Sequence, residues 1–256
     1  MLALAWVNVV ALGVVVVVAL AVDGLPREVR GGDLAWAALY GVALVGALVT
    51  AFKSMTIGPV GLVAPIISTE GAFATLLGLA LGESVGGVTG VALAVVVVGI
   101  VLSAIDSDGR GGGLRVVSGV NRRALLLGLA SAVLFAVTLV AGSRADSLGA
   151  LWTVVVGRVA GTVFVSVPVL TRAQFRRPVG AWRMVGINAA GDLLGFTIFI
   201  LATKDGVAIP AVLGSQYATL AAVFGYVVFG ERLKPWQWIG VAITIAGTAL
   251  VAASSA

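Results

Sequence analysis

Long apolar runs dominate this sequence and limit what it can fold into. A helix needs about 20 apolar residues to cross the hydrocarbon core of a bilayer. The valine-rich runs extend over too many residues for strands, and they lack the polar–apolar alternation of a membrane barrel. We therefore predict an all-α, polytopic membrane protein with about nine helices, at residues 1–22, 34–54, 57–82, 86–105, 123–142, 149–170, 181–203, 207–230 and 236–254.

The composition supports a membrane environment and removes several classes of chemistry. Hydrophobic residues make up 60% of the 256 residues and charged residues 11%, whereas a soluble domain carries roughly 25% charged residues. Without histidine or cysteine, the chain offers no imidazole zinc site, no Ser-His-Asp arrangement and no disulfide. We expect no enzyme, no catalytic residue, no metal and no cofactor. The basic residues lie in short loops, as topology signals do, so we expect no nucleic-acid partner.

Two stretches of the sequence resemble each other at an offset of 148 residues. Residues 70–102 and 218–250 each hold an apolar helix that ends in Gly-Glu, a short break and a second apolar helix. The Gly-Glu pairs end at Glu83 and Glu231. This similarity predicts an internal repeat.

The offset divides the chain into two predicted repeats of unequal size. The first is residues 1–105 with four helices, and a loop at 106–122 connects it to the second, residues 123–254 with five. The counterpart of the first helix of the second repeat would precede Met1. A unit of five helices reverses direction from one repeat to the next, so we predict inverted-topology repeats, as in many secondary transporters.

Two segments carry a family resemblance. LGSQYATLAAVFGYVVFGERLKPWQWIGVAITIAGTALV, at residues 213–251, resembles the end of an EamA domain of the drug/metabolite transporter superfamily, and VAPIISTEGAFATLLGLALGES, at residues 63–84, resembles the matching part of a first EamA domain. The resemblance implies ten helices in two inverted halves around a central substrate cavity. It also implies export or exchange of amino acids, metabolites or drugs. This chain departs from that plan by lacking the first helix.

Three ionisable side chains fall near the middle of predicted helices: Glu70, Arg158 and Asp192. A charge at the bilayer centre costs about 2.5–3.5 kcal/mol on insertion scales, so such residues usually face a cavity or a partner. We expect Arg158 to attract an anionic group such as a substrate carboxylate, and Glu70 or Asp192 to carry a proton or bind a substrate amine. The alternative is a fixed ion pair that only holds helices together.

Softer polar residues complete the predicted substrate-binding or proton-coupling site. These are Ser68, Asn188, Gln216 and Tyr217. For Asn8 we expect instead a hydrogen bond between helices, worth about 0.6 kcal/mol. Glycines spaced for close helix approach occur at Gly78/Gly82, Gly157/Gly161 and Gly191/Gly195.

These features predict a secondary transporter that moves small metabolites across the inner (plasma) membrane by alternating access, with export the expected direction. The sequence lacks the Walker A motif, so we expect an ion gradient, such as protons, or exchange to supply the energy. The alternative is a non-transporting membrane subunit, or a truncated form that needs a partner helix. A membrane enzyme acting on lipid would need a nucleophile, base or metal cluster that the sequence does not offer.

The orientation, substrate, coupling ion and oligomeric state stay open at this point. Loops on the N-terminal side carry 11 basic residues and those on the other side 4. The positive-inside rule therefore places the N-terminus in the cytoplasm and, with nine helices, the C-terminus outside. The family resemblance implies a cytoplasmic C-terminus instead.

Overall fold

The computed structural model of the chain contains α-helices and one short 3-10 helix in the residues it describes. The helices are α1 (Leu2–Val22), α2 (Gly31–Ile57), α3 (Glu70–Ala80), α4 (Gly87–Ala104), α5 (Arg122–Ser143), α6 (Gly149–Thr171), α7 (Trp182–Ala202) and α8 (Pro235–Ser254), with the 3-10 helix at Asp146–Leu148. The structure describes residues 2–26, 28–58, 63, 66–84, 86–104, 122–171, 182–203, 209–210, 214 and 235–254.

Within these residues, four helices are long and apolar enough to cross a membrane. They are Gly31–Ile57, Arg122–Ser143, Asp146–Ser166 and Val185–Ala202, and shorter apolar helices lie at Trp6–Val22, Glu70–Ala80 and Gly90–Gly99. The predicted class, an all-α polytopic membrane protein, is confirmed. The predicted helix at 207–230 lies almost entirely outside the described residues, so the count of nine stays a prediction.

The predicted helix at 57–82 differs most from the structure. α2 continues to Ile57 and α3 begins only at Glu70, after a turn in which the Thr69 hydroxyl donates a hydrogen bond to the Ile66 carbonyl at 2.6 Å. Pro59 and Pro65 stand between the two helices in the sequence. Within that stretch Val63, Ile66 and Ile67 are helical, and Ser68 and Thr69 form the turn that precedes Glu70. Glu70 therefore starts a helix and does not lie at the middle of one.

The chain forms two compact units, and each draws on both predicted repeats. Unit 1 comprises residues 1–49 and 137–207, and unit 2 comprises residues 50–136 and 208–256. The predicted repeat boundaries describe internal similarity in sequence, which contact between helices does not test. The division into repeats stays a prediction.

In unit 1, α1 packs against both α6 and α7. Small and β-branched residues, one per turn of α1, form the contact surface. This core consists of Ala11, Val15 and Ala19 of α1, Val154 and Val155 of α6, and Ala189 and Leu193 of α7. Near one end, Trp6 and Trp182 meet edge to face with their rings 5.2 Å apart. Three apolar helices of unit 1 are thereby held against one another.

Helices α2 and α6 approach through glycine. A Cβ added at Gly41 would lie 2.6 Å from Gly157 Cα and closer still to the Gly157 carbonyl, while one at Gly161 would lie 2.9 Å from Val45. The predicted close-packing role of the Gly157/Gly161 pair is therefore confirmed. For Gly195, no described atom lies within 4 Å of an added Cβ, so glycine there does not serve close packing among the described residues.

The other two glycine pairs do not show such close packing among the described residues. For Gly191, as for Gly195, no described atom lies within 4 Å of an added Cβ. Gly78 is buried in α3, but Gly82 has φ of +93° just past the end of that helix. Positive φ at a helix C-terminus favours glycine, so Gly82 ends a helix and does not pack against another.

Unit 2 has its own packing. α4 lies against α8, where an added Cβ at Gly247 would meet Val96 at 2.7 Å. A second cluster joins the end of α2, the start of α5 and the segment before α3 through the buried residues Ala51, Val63, Ile67 and Ala124. Beside it, the buried Ser54 hydroxyl donates a hydrogen bond to the Ala124 carbonyl at 2.5 Å.

Candidate functional site

A buried arginine network lies inside unit 1. Arg158, on α6, is only 1% exposed and is the largest fully buried side chain among the described residues. Its Nη2 donates to Asp192 Oδ2 of α7 at 2.5 Å, forming an ion pair, and its Nη1 donates to Asn8 Oδ1 of α1 at 3.1 Å. Three apolar helices thus each contribute one polar residue to a single network.

The local sequence explains how such a large charged residue fits. Gly157 directly precedes Arg158, and the absence of a side chain there leaves room for the Tyr40 ring of α2. Ala11, Val154 and Leu193, each within one turn of a polar residue of the network, pack in one apolar cluster. The prediction that Asn8 makes a hydrogen bond between helices is confirmed, and its partner is the buried arginine.

Tyr40 is a member of this region that the sequence analysis missed. Its side chain is 1% exposed, and its ring meets Phe196 of α7 edge to face at 5.8 Å. Its ring also lies against Gly157, the residue before Arg158, and Phe196 is one turn after Asp192. The Tyr40 hydroxyl makes no hydrogen bond to any residue that the structure describes. The sequence signal was a lone tyrosine in an apolar helix one residue before Gly41, a glycine at which two helices meet.

Asp192 connects the network to an open face of α7. Its side chain is 19% exposed, against 1% for Arg158. One turn earlier on the same face, Asn188 is exposed. No described atom lies within 4 Å of a Cβ added at Gly191 or Gly195. The acidic end of the ion pair is therefore accessible, while the basic end is sealed.

Glu70 and Ser68 belong to unit 2. Glu70 is 9% exposed in the first turn of α3, and Ser68 is 1% exposed in the preceding turn. The Ser68 hydroxyl has no hydrogen-bond partner among the described residues. A helix N-terminus favours a negatively charged side chain in its first turn, which is one physical reason for an acidic residue at this position.

Two predicted site residues, Gln216 and Tyr217, lie outside the described residues. Of the remaining five, the structure brings Arg158 and Asp192 into direct contact and places Asn188 one turn from Asp192 on α7. It places Glu70 and Ser68 together in the other unit. Unit 1 thus holds Arg158, Asp192 and Asn188, and unit 2 holds Glu70 and Ser68.

Comparisons with known proteins agree with this architecture. The model of the "EamA-like transporter family" matches residues 122–253. A "UPF0060 membrane protein" of Acidovorax sp. (strain JS42) is 32% identical over 77 residues, which cover 30% of this chain and 69% of the relative. One of the same description from Acidovorax ebreus (strain TPSY) is 31% identical over the same length. A solved structure described as "Crystal structure of protein" superposes with a TM-score of 0.72 at 21% identity, covering 99% of this chain and 87% of that one, and shows the same fold.

Proposed function

We propose, from the premise that this chain belongs to the EamA-like transporter family, that it is a secondary transporter of a small polar metabolite. It is a multi-pass membrane protein. The proposal adds the inner membrane as its location, alternating access as its mechanism and export as its direction. Amino acids, other metabolites and drugs are the substrate classes to test.

The observation that carries this proposal is the buried network of Arg158, Asn8 and Asp192. Taking two charges out of water costs several kcal/mol per ion, and well-packed apolar residues in place of such a pair are often neutral or stabilising. Stability alone is therefore a poor reason to hold an arginine at 1% exposure between apolar helices. In a transporter family, ionisable residues within membrane helices typically mark the path of a substrate or ion.

The roles that we propose follow from charge and position. Arg158 attracts an anionic group of the substrate. Asp192, which is partly exposed, binds a substrate amine or the coupling proton, and Asn188 contributes hydrogen bonds at the open face. In unit 2, Glu70 carries the coupling ion beside Ser68. Gln216 and Tyr217 remain proposed as further substrate contacts.

The experiment is untargeted metabolite profiling of the medium around cells with and without the gene, with Arg158→Gln as the test variant. Arg183→Gln is the matched control, because Arg183 is exposed at the start of α7. We expect at least one small polar metabolite to accumulate outside only when the intact protein or the control is present at equal amounts. If the profiles with and without the gene coincide, the chain is not an exporter under those conditions and the proposal fails in its direction and substrate class.

A second experiment tests whether the protein imports its substrate, which the export assay would not detect. Cells are fed isotope-labelled amino acids and organic acids, and internal label is measured with and without the gene. Gene-dependent uptake that Arg158→Gln abolishes would retain the transporter and reverse its direction. Absence of any gene-dependent flux in both arms would refute the transport function.

A further inference from the structure

The Arg158 network is incompletely satisfied. Arg158 Nε is fully buried and has no hydrogen-bond partner among the described residues, and the same holds for the Tyr40 hydroxyl and for Oγ1 of Thr162, one turn after Arg158 on α6. Buried polar atoms almost always have a partner, and an exception calls for an explanation such as an unseen water or ligand. Here Arg158 and Tyr40, whose ring lies against Gly157 beside Arg158, both keep unused donors in unit 1.

The guanidinium is also used in an unusual way. Arginine presents a planar fork of donors that matches the two oxygens of a carboxylate. Arg158 instead divides its two terminal nitrogens between Asp192 and the neutral amide of Asn8, and each of these accepts one hydrogen bond. The edge that includes Nε is left without a partner among the described residues. This arrangement leaves Arg158 able to take up a carboxylate with a pair of hydrogen bonds.

We propose that unit 1 contains a subsite for a small carboxylate, in which Arg158 and Tyr40 bind the carboxylate and Asp192 is the counter-ion that it displaces. The inference rests on the proposed transport function in one respect: it names the chemical class of the substrate. Asn8 is a positioning residue that holds one terminal nitrogen of Arg158 while the other changes partner.

The charges around the pair make displacement the necessary step. Helix α1 contributes Asn8 and has no ionisable side chain, α2 contributes the neutral phenol of Tyr40, and α6 and α7 contribute Arg158 and Asp192. The described network therefore holds one cation and one anion. A second anion can bind Arg158 in such a site only if Asp192 releases it.

The surroundings of Asp192 allow its carboxylate to move away from Arg158. Its carboxylate is already partly exposed, and no described atom lies within 4 Å of a Cβ added at Gly191 or Gly195 on α7. Arg158 is sealed and held by Asn8. The anion of the pair is the partner that moves, and the cation stays fixed as the binding group.

The test is binding of radiolabelled acetate to the purified full chain in lipid nanodiscs. Sodium chloride keeps the ionic strength of the solution constant. Acetamide, the neutral analogue of the same size, is the competitor control. We expect saturable acetate binding that acetamide does not displace and that Arg158→Gln abolishes. Asp192→Asn removes the anion that competes with acetate for Arg158. We expect this variant to bind acetate about tenfold more tightly. Arg183→Gln should bind as the intact protein does.

Tyr40→Phe is the second variant, because it removes only the hydroxyl and keeps the ring against Gly157 and Phe196. We expect it to weaken acetate binding by about two- to tenfold, the effect of one hydrogen bond. If Asp192→Asn folds poorly, its thermal stability supplies the readout. Acetate, and not acetamide, should then raise the unfolding temperature of that variant more than that of the intact protein, because it replaces the missing counter-ion.

The proposal is overturned if acetate binds the intact protein no better than acetamide does. It is also overturned if acetate neither binds more tightly to Asp192→Asn nor stabilises it selectively, since water would then account for the unused donors. Acetate binding without any metabolite flux would instead refute the transport function and retain the subsite. Flux of a non-anionic metabolite without acetate binding would retain transport and refute the subsite.

Discussion

The contact between α2 and α6 supplies the sharpest test of the packing around the arginine. At Gly41, an alanine Cβ would lie 2.6 Å from Gly157 Cα and closer still to the Gly157 carbonyl carbon and oxygen. All three are backbone atoms of the partner helix, so no rotamer change relieves the overlap and the two helices must move apart. In lipid, helix association depends on such close approach, because the surrounding acyl chains are as apolar as the helices.

The change in the free energy of unfolding caused by Gly41→Ala is the difference between a stabilising and a destabilising effect. Replacing glycine by alanine within a helix stabilises the folded state by about 1 kcal/mol through helix propensity. Overpacking costs about 1–3 kcal/mol and occasionally more, and a gap of 0.5–1 Å at the remaining contacts forfeits about a quarter to a half of their dispersion energy. With overlap against backbone, we expect Gly41→Ala to lower the free energy of unfolding by about 2 kcal/mol net.

The matched control is Gly195→Ala, which changes the same residue type in the same unit where no described atom lies within 4 Å of the added Cβ. It should be neutral or stabilising by up to about 1 kcal/mol. The assay is unfolding of the purified protein by titration with a denaturing detergent, followed by helical circular dichroism. If both variants unfold at the same detergent fraction as the parent, the glycine contact does not hold α2 against α6 and the reasoning is refuted.

Three further substitutions test other parts of the structure. Ser54→Ala removes the buried hydrogen bond between α2 and α5; it should destabilise the chain by about 0.5–1.5 kcal/mol in the same unfolding titration, the net contribution of one hydrogen bond, and an unchanged midpoint would contradict that bond. Trp152→Phe removes the 2.9 Å hydrogen bond from the indole to the Gly24 carbonyl; we expect a loss of about 1 kcal/mol and faster proteolysis of the loop after α1, and equal cleavage rates would count against it. Glu70→Gln should make transport insensitive to the imposed ion gradient while solute exchange continues; gradient-driven transport at the parental rate would remove Glu70 from coupling.

Much of the fold could be predicted from the sequence because helix formation in lipid depends on local composition. The apolar runs set the bounds of α1, α5, α6 and α7 to within a few residues, since lipid requires each backbone group to be paired within its own helix. The break before Glu70 falls at Ser68 and Thr69, where the apolar run gives way to polar residues. The prediction gave more weight to the length of the run than to this change in polarity.

The site was less predictable because it depends on how helices are rotated against one another. Arg158 and Asp192 were identified as unusual in apolar segments, but their pairing requires α6 and α7 to present them to each other. Tyr40 has no charge to draw attention to it, and its proximity to the ion pair depends on the approach of α2 at Gly157. Such contacts between distant segments leave no local pattern in a single sequence.

The most direct test of the account is solute flux through the purified protein. Proteoliposomes are loaded with the metabolite whose level in the medium depends on the gene, and its release is followed for the intact chain, Arg158→Gln and Arg183→Gln. We predict release by the intact chain and the Arg183→Gln control, and release at the rate of empty liposomes for Arg158→Gln with its fold retained. Equal release by folded Arg158→Gln and the intact chain would contradict the claim that the buried arginine network of unit 1 binds what the protein transports.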